Sequence, residues 1–397
     1  MIKLIPTAKL QIGMYIHDLN CGWIEHNFLR SRFLVDNEKT LQKIVATGTR
    51  EIYIDTSKGV DVDKAPAQEE SSRTDNTPIK ETAPSAPTPV VLGKERQRAR
   101  KLHAEANRIV SGMLHDVRLG KQIEIEQIEP VVERIVDSIF RQQDALLPLA
   151  QLKNHDEYTF QHSVSVCALM TSFARTLDMP REVIHEIAVG ALLHDVGKAT
   201  IPDNILNKPG KLTDAEFAEM KSHVVQSKII LAATPGISPI ALDVAAQHHE
   251  RYDGSGYPNR LKGDEISRYG QMSAIVDVYD AITSNRCYHK GMPPTEAMRK
   301  ILEWSKFHFN PELAQVFIRA LGIYPTGSLV RLESGRLAIV EEQHPDKLMQ
   351  PTVKIVFHTR GYYLPPETLD LRRSQDRITG YENFETWKID PAKWVEG

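Results

Sequence analysis

Histidine and aspartate side chains that could bind metal ions are concentrated between residues 155 and 289, where eight of the 15 histidines lie. Several fall within, or at the end of, apolar segments with helical spacing, where an unpaired imidazole or carboxylate is costly to bury. A bound cation offsets this cost because the ion becomes the dominant local charge. Imidazole and carboxylate donors without thiolates favour Fe, Mn, Ni or Zn over softer metals. The candidate ligands are His162, His194, Asp195, His223, His248, His249 and Asp277.

Two pairs of candidates are adjacent in the chain, His194 with Asp195 and His248 with His249. Successive residues of a helix point about 100° apart, so such a pair rarely serves one ion within a regular helix. The pairs suit two neighbouring ions, or one ion at a point where a helix ends. An aspartate can also bridge two metals while the adjacent histidine binds one of them.

The elements that must position these side chains are helices, which the apolar spacing predicts in succession from about residue 155 to 322. The segment TDAEFAEMKSH carries a capping box, with Thr213 as N-cap and Glu216 as the third helical residue. Asn310 and Pro311 predict the start of the last helix. Five helices that each present a nitrogen or carboxylate inward are what a metal site in a helical bundle requires.

The segments on either side of these helices differ from them in composition and in the spacing of apolar residues. Residues 1–60 contain short β-like runs and one helix, which predict a small α+β regulatory module. Residues 61–92 contain five prolines and no aromatic residue, so we expect a disordered linker. Connecting helices are predicted over 93–146 and the helical bundle over 147–322. After Gly322 the spacing changes, and SLVRLESGRLAIVEEQ and TVKIVFHT predict strands in a β extension over 323–397.

Composition excludes several classes of protein. The net charge of −3 offers no basic field for a nucleic-acid polymer. Three cysteines, far apart and without C-x-x-C spacing, fit a reducing compartment. The N-terminus lacks the apolar core of a signal peptide, and no apolar stretch approaches the roughly 20 residues that span a bilayer. We therefore expect a cytoplasmic protein without a membrane span.

The order H…HD…H…HH…D, with HDVGK at 194–198 and HHERYDGSGYP at 248–258, resembles the HD-GYP subgroup of the HD phosphohydrolase superfamily. The N-terminal module resembles a domain of unknown function that often precedes HD-GYP domains. The resemblance implies a mainly α protein whose centre is an HD-type helical bundle. It also implies hydrolysis of cyclic di-GMP to pGpG and GMP at a bi- or trinuclear, often iron-containing site, which lowers a second messenger of motility and biofilm formation.

The resemblance also implies a division of ligands. One metal takes His162, His194, Asp195 and Asp277, and the other takes Asp195, His223, His248 and His249, so that Asp195 bridges them. Trinuclear members carry a glutamate four residues before the first ligand histidine, and Tyr158 occupies that position here. We therefore expect two divalent ions, with iron preferred and manganese, nickel or zinc as alternatives.

Further residues match the substrate side of the family. Asp195 and Lys198 are implied to be catalytic, and Lys198 neutralises charge on the phosphate. Asp156 and Arg286 match positions that contact the nucleotide. Tyr257 could contact substrate, contact a partner such as a GGDEF-domain protein, or only pack under its own turn.

Two other functions stay open at this point. The substrate could be another cyclic dinucleotide such as 3′,3′-cGAMP, or the protein could be a non-catalytic module that senses nucleotide or docks a GGDEF protein. A homodimer is a further expectation.

Overall fold

The computed structural model describes residues 2–18, 33–46, 49, 51–60, 92–151, 158–284 and 291–395. The chain divides into two compact units, Met1–Thr88 and Pro89–Gly397. The predicted substrate contacts Asp156 and Arg286 lie outside the described residues, as does the predicted linker except for Leu92.

The first unit is a four-stranded antiparallel sheet in the order β1-β4-β2-β3, together with one helix. Alternation along β4 buries Ile52 and Ile54, which join Met14, Ile16 and Ile44 in one core. The predicted α+β module is therefore confirmed. Its elements are β1 (Ile2–Pro6), β2 (Tyr15–Asp18), β3 (Phe33–Leu34), α1 (Glu38–Ala46) and β4 (Glu51–Asp55).

The second unit is mainly helical, as predicted. Thr213 and Glu216 form the predicted capping box, and the Asn310 side chain caps the helix that begins at Pro311. None of the described helices combines the length and apolar character needed to cross a membrane. The helices are α2 (Leu92–Arg118), α3 (Ile125–Gln151), α4 (Tyr158–Thr176), α5 (Arg181–Leu193), α6 (Asp203–Leu206), α7 (Asp214–Ala232), α8 (Pro239–Gln247), α9 (Arg268–Thr283), α10 (Pro294–Trp304) and α11 (Pro311–Leu321).

Helix α4 is the centre of this bundle. Residues 161–174 are buried on every side because α4 packs against α2, α3, α5, α9 and α11. A polar side chain on such a helix needs an internal partner. Helix α3 contains one non-helical residue, Gln142, and runs across position 147, where the bundle is predicted to begin. That boundary stays a prediction.

The C-terminal part is a five-stranded antiparallel sheet in the order β8-β7-β6-β5-β9. The strands β5, β6 and β7 were predicted, whereas β8 and β9 were not. Strand β8 contains Pro365 and Pro366, which weaken a strand prediction but are tolerated because β8 is an edge strand. The elements are β5 (Leu329–Leu332), β6 (Arg336–Glu342), β7 (Thr352–His358), β8 (Tyr362–Asp370), β9 (Ile378–Glu382) and α12 (Ala392–Val395).

Candidate metal centre

The structure brings the seven candidate ligands together from five helices and the turns that follow them. His162 lies in the second turn of α4, and His194 is the C-cap of α5 with Asp195 directly after it. His248 is the C-cap of α8, and its ring centroid lies 4.2 Å from that of His249. Adjacent side chains converge here because the helix ends between them. We refer to this set as the His/Asp cluster: His162, His194, Asp195, His223, His248, His249 and Asp277.

Within the cluster, three groups of donor atoms have members within 4.8 Å of one another, and two of these groups have no residue in common. Asp195 lies between them and faces each group with a different oxygen. Its Oδ2 is 3.3 Å from His194 Nε2 and 3.5 Å from His162 Nε2. Its Oδ1 is 3.3 Å from His223 Nε2 and 3.8 Å from His248 Nε2. The two groups without a common residue are His162, His194 and Asp277, and His223, His248 and His249, and the third group is His194, Asp195 and His248.

Three of the histidines are oriented by the backbone of their own helices. The Nδ1 atoms of His194, His223 and His248 each lie 2.5–2.8 Å from the carbonyl oxygen three residues earlier in the chain. A carbonyl can only accept, so Nδ1 carries the proton and donates it. The Nε2 atom faces the cluster, and whenever the ring is neutral this atom carries a lone pair.

His162 is oriented by a carboxylate instead. Its Nδ1 lies 2.5 Å from Oδ2 of Asp280, whose other oxygen accepts from Ser165 Oγ at 2.5 Å. Asp280 is 1% exposed. A ligand histidine commonly donates its second N–H to such a carboxylate, which fixes the ring. Sequence reasoning did not assign this role, although Asp280 follows Asp277 by three residues and so shares its helix face.

Burial controls the protonation of most of the imidazoles. It lowers the pKa of His223, lowers that of His248 well below the usual range, and lowers that of His249 to about 3. Burial also opposes the charged form of His194, but Asp195 outweighs it and the net shift of that pKa is upward. At neutral pH, His223, His248 and His249 are therefore in the neutral form that binds a cation.

The two carboxylates of the cluster stay ionised. Burial raises the pKa of Asp195, but Lys198 and His194 outweigh it and hold the pKa well below its usual range. Burial opposes ionisation of Asp277 in the same way, and His162 outweighs it. The Lys198 ammonium lies 2.5 Å from Asp195 Oδ2 and is partly exposed, so one cation of the protein itself stands at the cluster.

The donor set fits divalent metal ions. The Nε2 atoms of His194, His223 and His248 and Oδ1 of Asp195 are buried, and none has a hydrogen-bond partner within the described ranges. Buried polar atoms are nearly always paired. Buried nitrogen and carboxylate donors that converge with such unsatisfied atoms are what coordination to a cation requires.

Gly197 explains why HDVGK brings Asp195 to α7. A Cβ at this position would lie 2.0 Å from the carbonyl oxygen of His223 and 2.5 Å from the backbone nitrogen of Ser227. The Gly197 N–H donates to Ser227 Oγ at 2.8 Å. Only glycine lets the 3-10 turn Val196–Thr200 approach α7 this closely.

The loop after His249 is held from inside by Glu250. This side chain is 1% exposed, and its two oxygens accept from the backbone N–H groups of Asn259, at 2.7 Å, and Leu261, at 3.1 Å. The loop brings the Tyr257 ring to 4.7 Å from that of His249, between centroids. Tyr257 therefore packs against a cluster histidine. Sequence reasoning missed Glu250, since its partners are identified only by the folded loop.

Comparison with known proteins gives the chain its relatives. Residues 147–313 match the family described as HD domain, and residues 2–128 match a domain of unknown function (DUF3391). The chain is 42% identical to the cyclic di-GMP phosphodiesterase PA4108 of Pseudomonas aeruginosa over 395 residues, which cover 98% of this chain and 94% of that protein.

Two relatives from Vibrio cholerae match shorter segments. A probable cyclic di-GMP phosphodiesterase is 37% identical over 214 residues, 49% of this chain and 48% of that protein. The 3′3′-cGAMP-specific phosphodiesterase 2 is 42% identical over 127 residues, 32% of this chain and 24% of that protein. The chain has an HD domain and a His/Asp cluster, and it is similar to the Pseudomonas aeruginosa phosphodiesterase over nearly the whole of both chains. It therefore belongs to the HD-GYP family of HD-domain phosphodiesterases.

Proposed function

We propose that this protein is a metal-dependent phosphodiesterase that hydrolyses cyclic di-GMP to pGpG and then GMP. In the cell this lowers the second messenger and changes motility and biofilm-type behaviour. The observation that carries the proposal is the cluster in which Asp195 faces two groups of donors. The near full-length similarity to a curated cyclic di-GMP phosphodiesterase supports the choice of substrate.

We infer that the cluster holds two divalent ions, with iron preferred and manganese, nickel or zinc as alternatives. His162, His194 and Asp277 would hold one ion, His223, His248 and His249 would hold the other, and Asp195 would be available to both. When bound, such ions lower the pKa of water and stabilise charge on phosphoryl oxygens. The neutral imidazoles and ionised carboxylates described above are the protonation states that this role needs.

Lys198 acts on the phosphate in this proposal. Its ammonium beside Asp195 stabilises the negative charge that develops during cleavage of the diester. Tyr257 borders the site and contacts the nucleotide. Asp156 and Arg286 are proposed to hold the bases and phosphates on the strength of the family resemblance.

A second substrate is favoured by a specific observation, because a 3′3′-cGAMP-specific relative shares 42% identity over the matched segment. Purified protein loaded with Fe²⁺ or Mn²⁺ would be given cyclic di-GMP and 3′,3′-cGAMP side by side, with products separated by chromatography and metal content measured. The proposal expects a higher kcat/KM for cyclic di-GMP, and an equal or inverted preference contradicts it.

The non-catalytic alternative is tested with Asp195→Ala. The catalytic proposal expects loss of bound metal, loss of hydrolysis and loss of the cellular output together. If metal were lost while the cellular output stayed as in wild type, a scaffold role would replace catalysis. Four further expectations stay predictions: docking of a GGDEF protein at the Tyr257 loop, a homodimer, a cytoplasmic location and a regulatory role of residues 1–60.

A further inference from the structure

A basic and aromatic rim, formed by Phe217 and Lys221 of α7 with Tyr257, borders the His/Asp cluster. We propose that Phe217 and Lys221 form a subsite for the half of the cyclic dinucleotide that is not being cleaved. The purine base stacks on Phe217, and Lys221 contacts the second phosphate. This inference rests on the proposed function, because it concerns the same substrate.

The rim is continuous with the cluster. The Lys221 ammonium lies 5.0 Å from the Phe217 ring centroid and 5.9 Å from that of Tyr257. The Tyr257 ring in turn lies 4.7 Å from that of His249. A ligand at the cluster therefore needs to extend past only one aromatic ring to meet Lys221.

Phe217 is exposed and Lys221 is partly exposed, so a ligand can reach both side chains. Phe217 is 48% exposed, so its ring is not needed for the core. Lys198 and Lys208 are each paired with a carboxylate, whereas Lys221 has no carboxylate partner in the part of the chain that the structure describes. A lone exposed phenylalanine is ordinary on a protein surface. A phenylalanine that shares an unpaired ammonium with a tyrosine at the edge of the cluster is a more specific arrangement.

The chemistry of the substrate matches this arrangement. A cyclic dinucleotide has two phosphates and two purines, and the cluster can act on only one phosphate at a time. Its second half must then lie beside the cluster. Purines stack on aromatic side chains with little dependence on the base, and lysine binds phosphate as a point charge. Phe217 and Lys221 supply both contacts.

The test compares two substrates across matched variants. The rim variants are Phe217→Ala and Lys221→Met, which each remove one α7 side chain of the rim. The controls are Ile229→Ala and Lys228→Met, at exposed positions of the same helix. Each metal-loaded protein is assayed with cyclic di-GMP and with bis(p-nitrophenyl) phosphate, a diester without purines. Loss of one stacking or phosphate contact predicts a roughly tenfold rise in KM for cyclic di-GMP. We expect kcat/KM for cyclic di-GMP, relative to the small diester, to fall about tenfold in both rim variants and less than about twofold in the controls.

Several results would overturn the inference. A KM for cyclic di-GMP equal to that of wild type does so, and so does an equal loss on both substrates, which indicates a structural defect. Calorimetric binding of cyclic di-GMP is measured in parallel. If wild type does not cleave cyclic di-GMP, the proposed function fails. The subsite is then tested by binding alone, and it is supported only if the rim variants bind cyclic di-GMP more weakly than wild type. Absence of binding to wild type overturns the rim as well.

Discussion

Replacing Asp280 by asparagine should weaken metal binding without unfolding the bundle. The carboxylate accepts from His162 Nδ1 and Ser165 Oγ, both at 2.5 Å, in a buried position. Asparagine keeps an oxygen for the histidine and turns its NH₂ toward the Ser165 hydroxyl, which can accept. What is lost is the negative charge that orients the ring and makes it a better ligand.

The magnitude follows from that loss. Removal of such a partner from a ligand histidine typically costs about 10- to 100-fold in metal affinity, or about 1.4 to 2.8 kcal/mol. Asp280→Ala should also destabilise the metal-free protein, since it removes the carboxylate that accepts from two buried donors, at about 1–3 kcal/mol each. The contrast between the two variants separates orientation of His162 from simple packing.

The assay is equilibrium dialysis against buffered free metal, with metal content per chain measured by mass spectrometry and thermal unfolding of the apoprotein recorded beside it. Asp243→Asn is the matched control, because Asp243 is partly exposed on α8 and its carboxylate accepts from the Gln247 side-chain amide at 3.1 Å. We expect the metal affinity of Asp243→Asn to lie within about twofold of that of wild type. If the affinity of Asp280→Asn does so too, the Asp280 carboxylate does not orient His162 for metal binding.

Three more perturbations follow from the structure. Gly197→Ala places a Cβ 2.0 Å from a carbonyl oxygen, so the free energy of unfolding measured in urea should fall by about 3 kcal/mol, and metal should be lost. Glu250→Gln cannot accept both loop N–H groups and should lower kcat/KM for the dinucleotide about tenfold. Burial raises the pKa of Asp144 to about 6, above its unfolded value, so this group stabilises the fold as pH falls through 6. Asp144→Asn lacks that titration. The free energy of unfolding of this variant, relative to that of wild type, should therefore be about 2 kcal/mol higher at pH 7 than at pH 4.

Each of these has a result that contradicts it. Gly112→Ala is the control for Gly197→Ala, because the added Cβ meets no described atom within 4 Å beyond its own stretch of helix, and the helix should gain about 0.5–1 kcal/mol. Equal effects of the two alanines would refute the close-packing reasoning. An unchanged kcat/KM in Glu250→Gln would mean that the loop holds its shape without that carboxylate. A constant difference between Asp144→Asn and wild type from pH 7 to pH 4 would exclude a raised pKa.

Local patterns predicted much of this protein because they depend on neighbours in the chain. The capping box at Thr213 and the helix start at Asn310 were predicted from a few adjacent residues. Strand β8 was not predicted, since its prolines and exposed side chains resemble a loop until β7 pairs with it. Whether a segment pairs at the edge of a sheet depends on the tertiary structure.

The sequence by itself determined which residue types meet in the His/Asp cluster, because the HDVGK and HHERYDGSGYP motifs and the single ligands occur in one recognisable order. Only the tertiary structure decided which Asp195 oxygen faces which group, that Asp280 orients His162 from 118 residues away, and that Lys221 reaches Tyr257. The physical reason is distance along the chain. Hydrophobic spacing and caps specify how each helix forms, whereas contacts between helices depend on how their buried faces pack together.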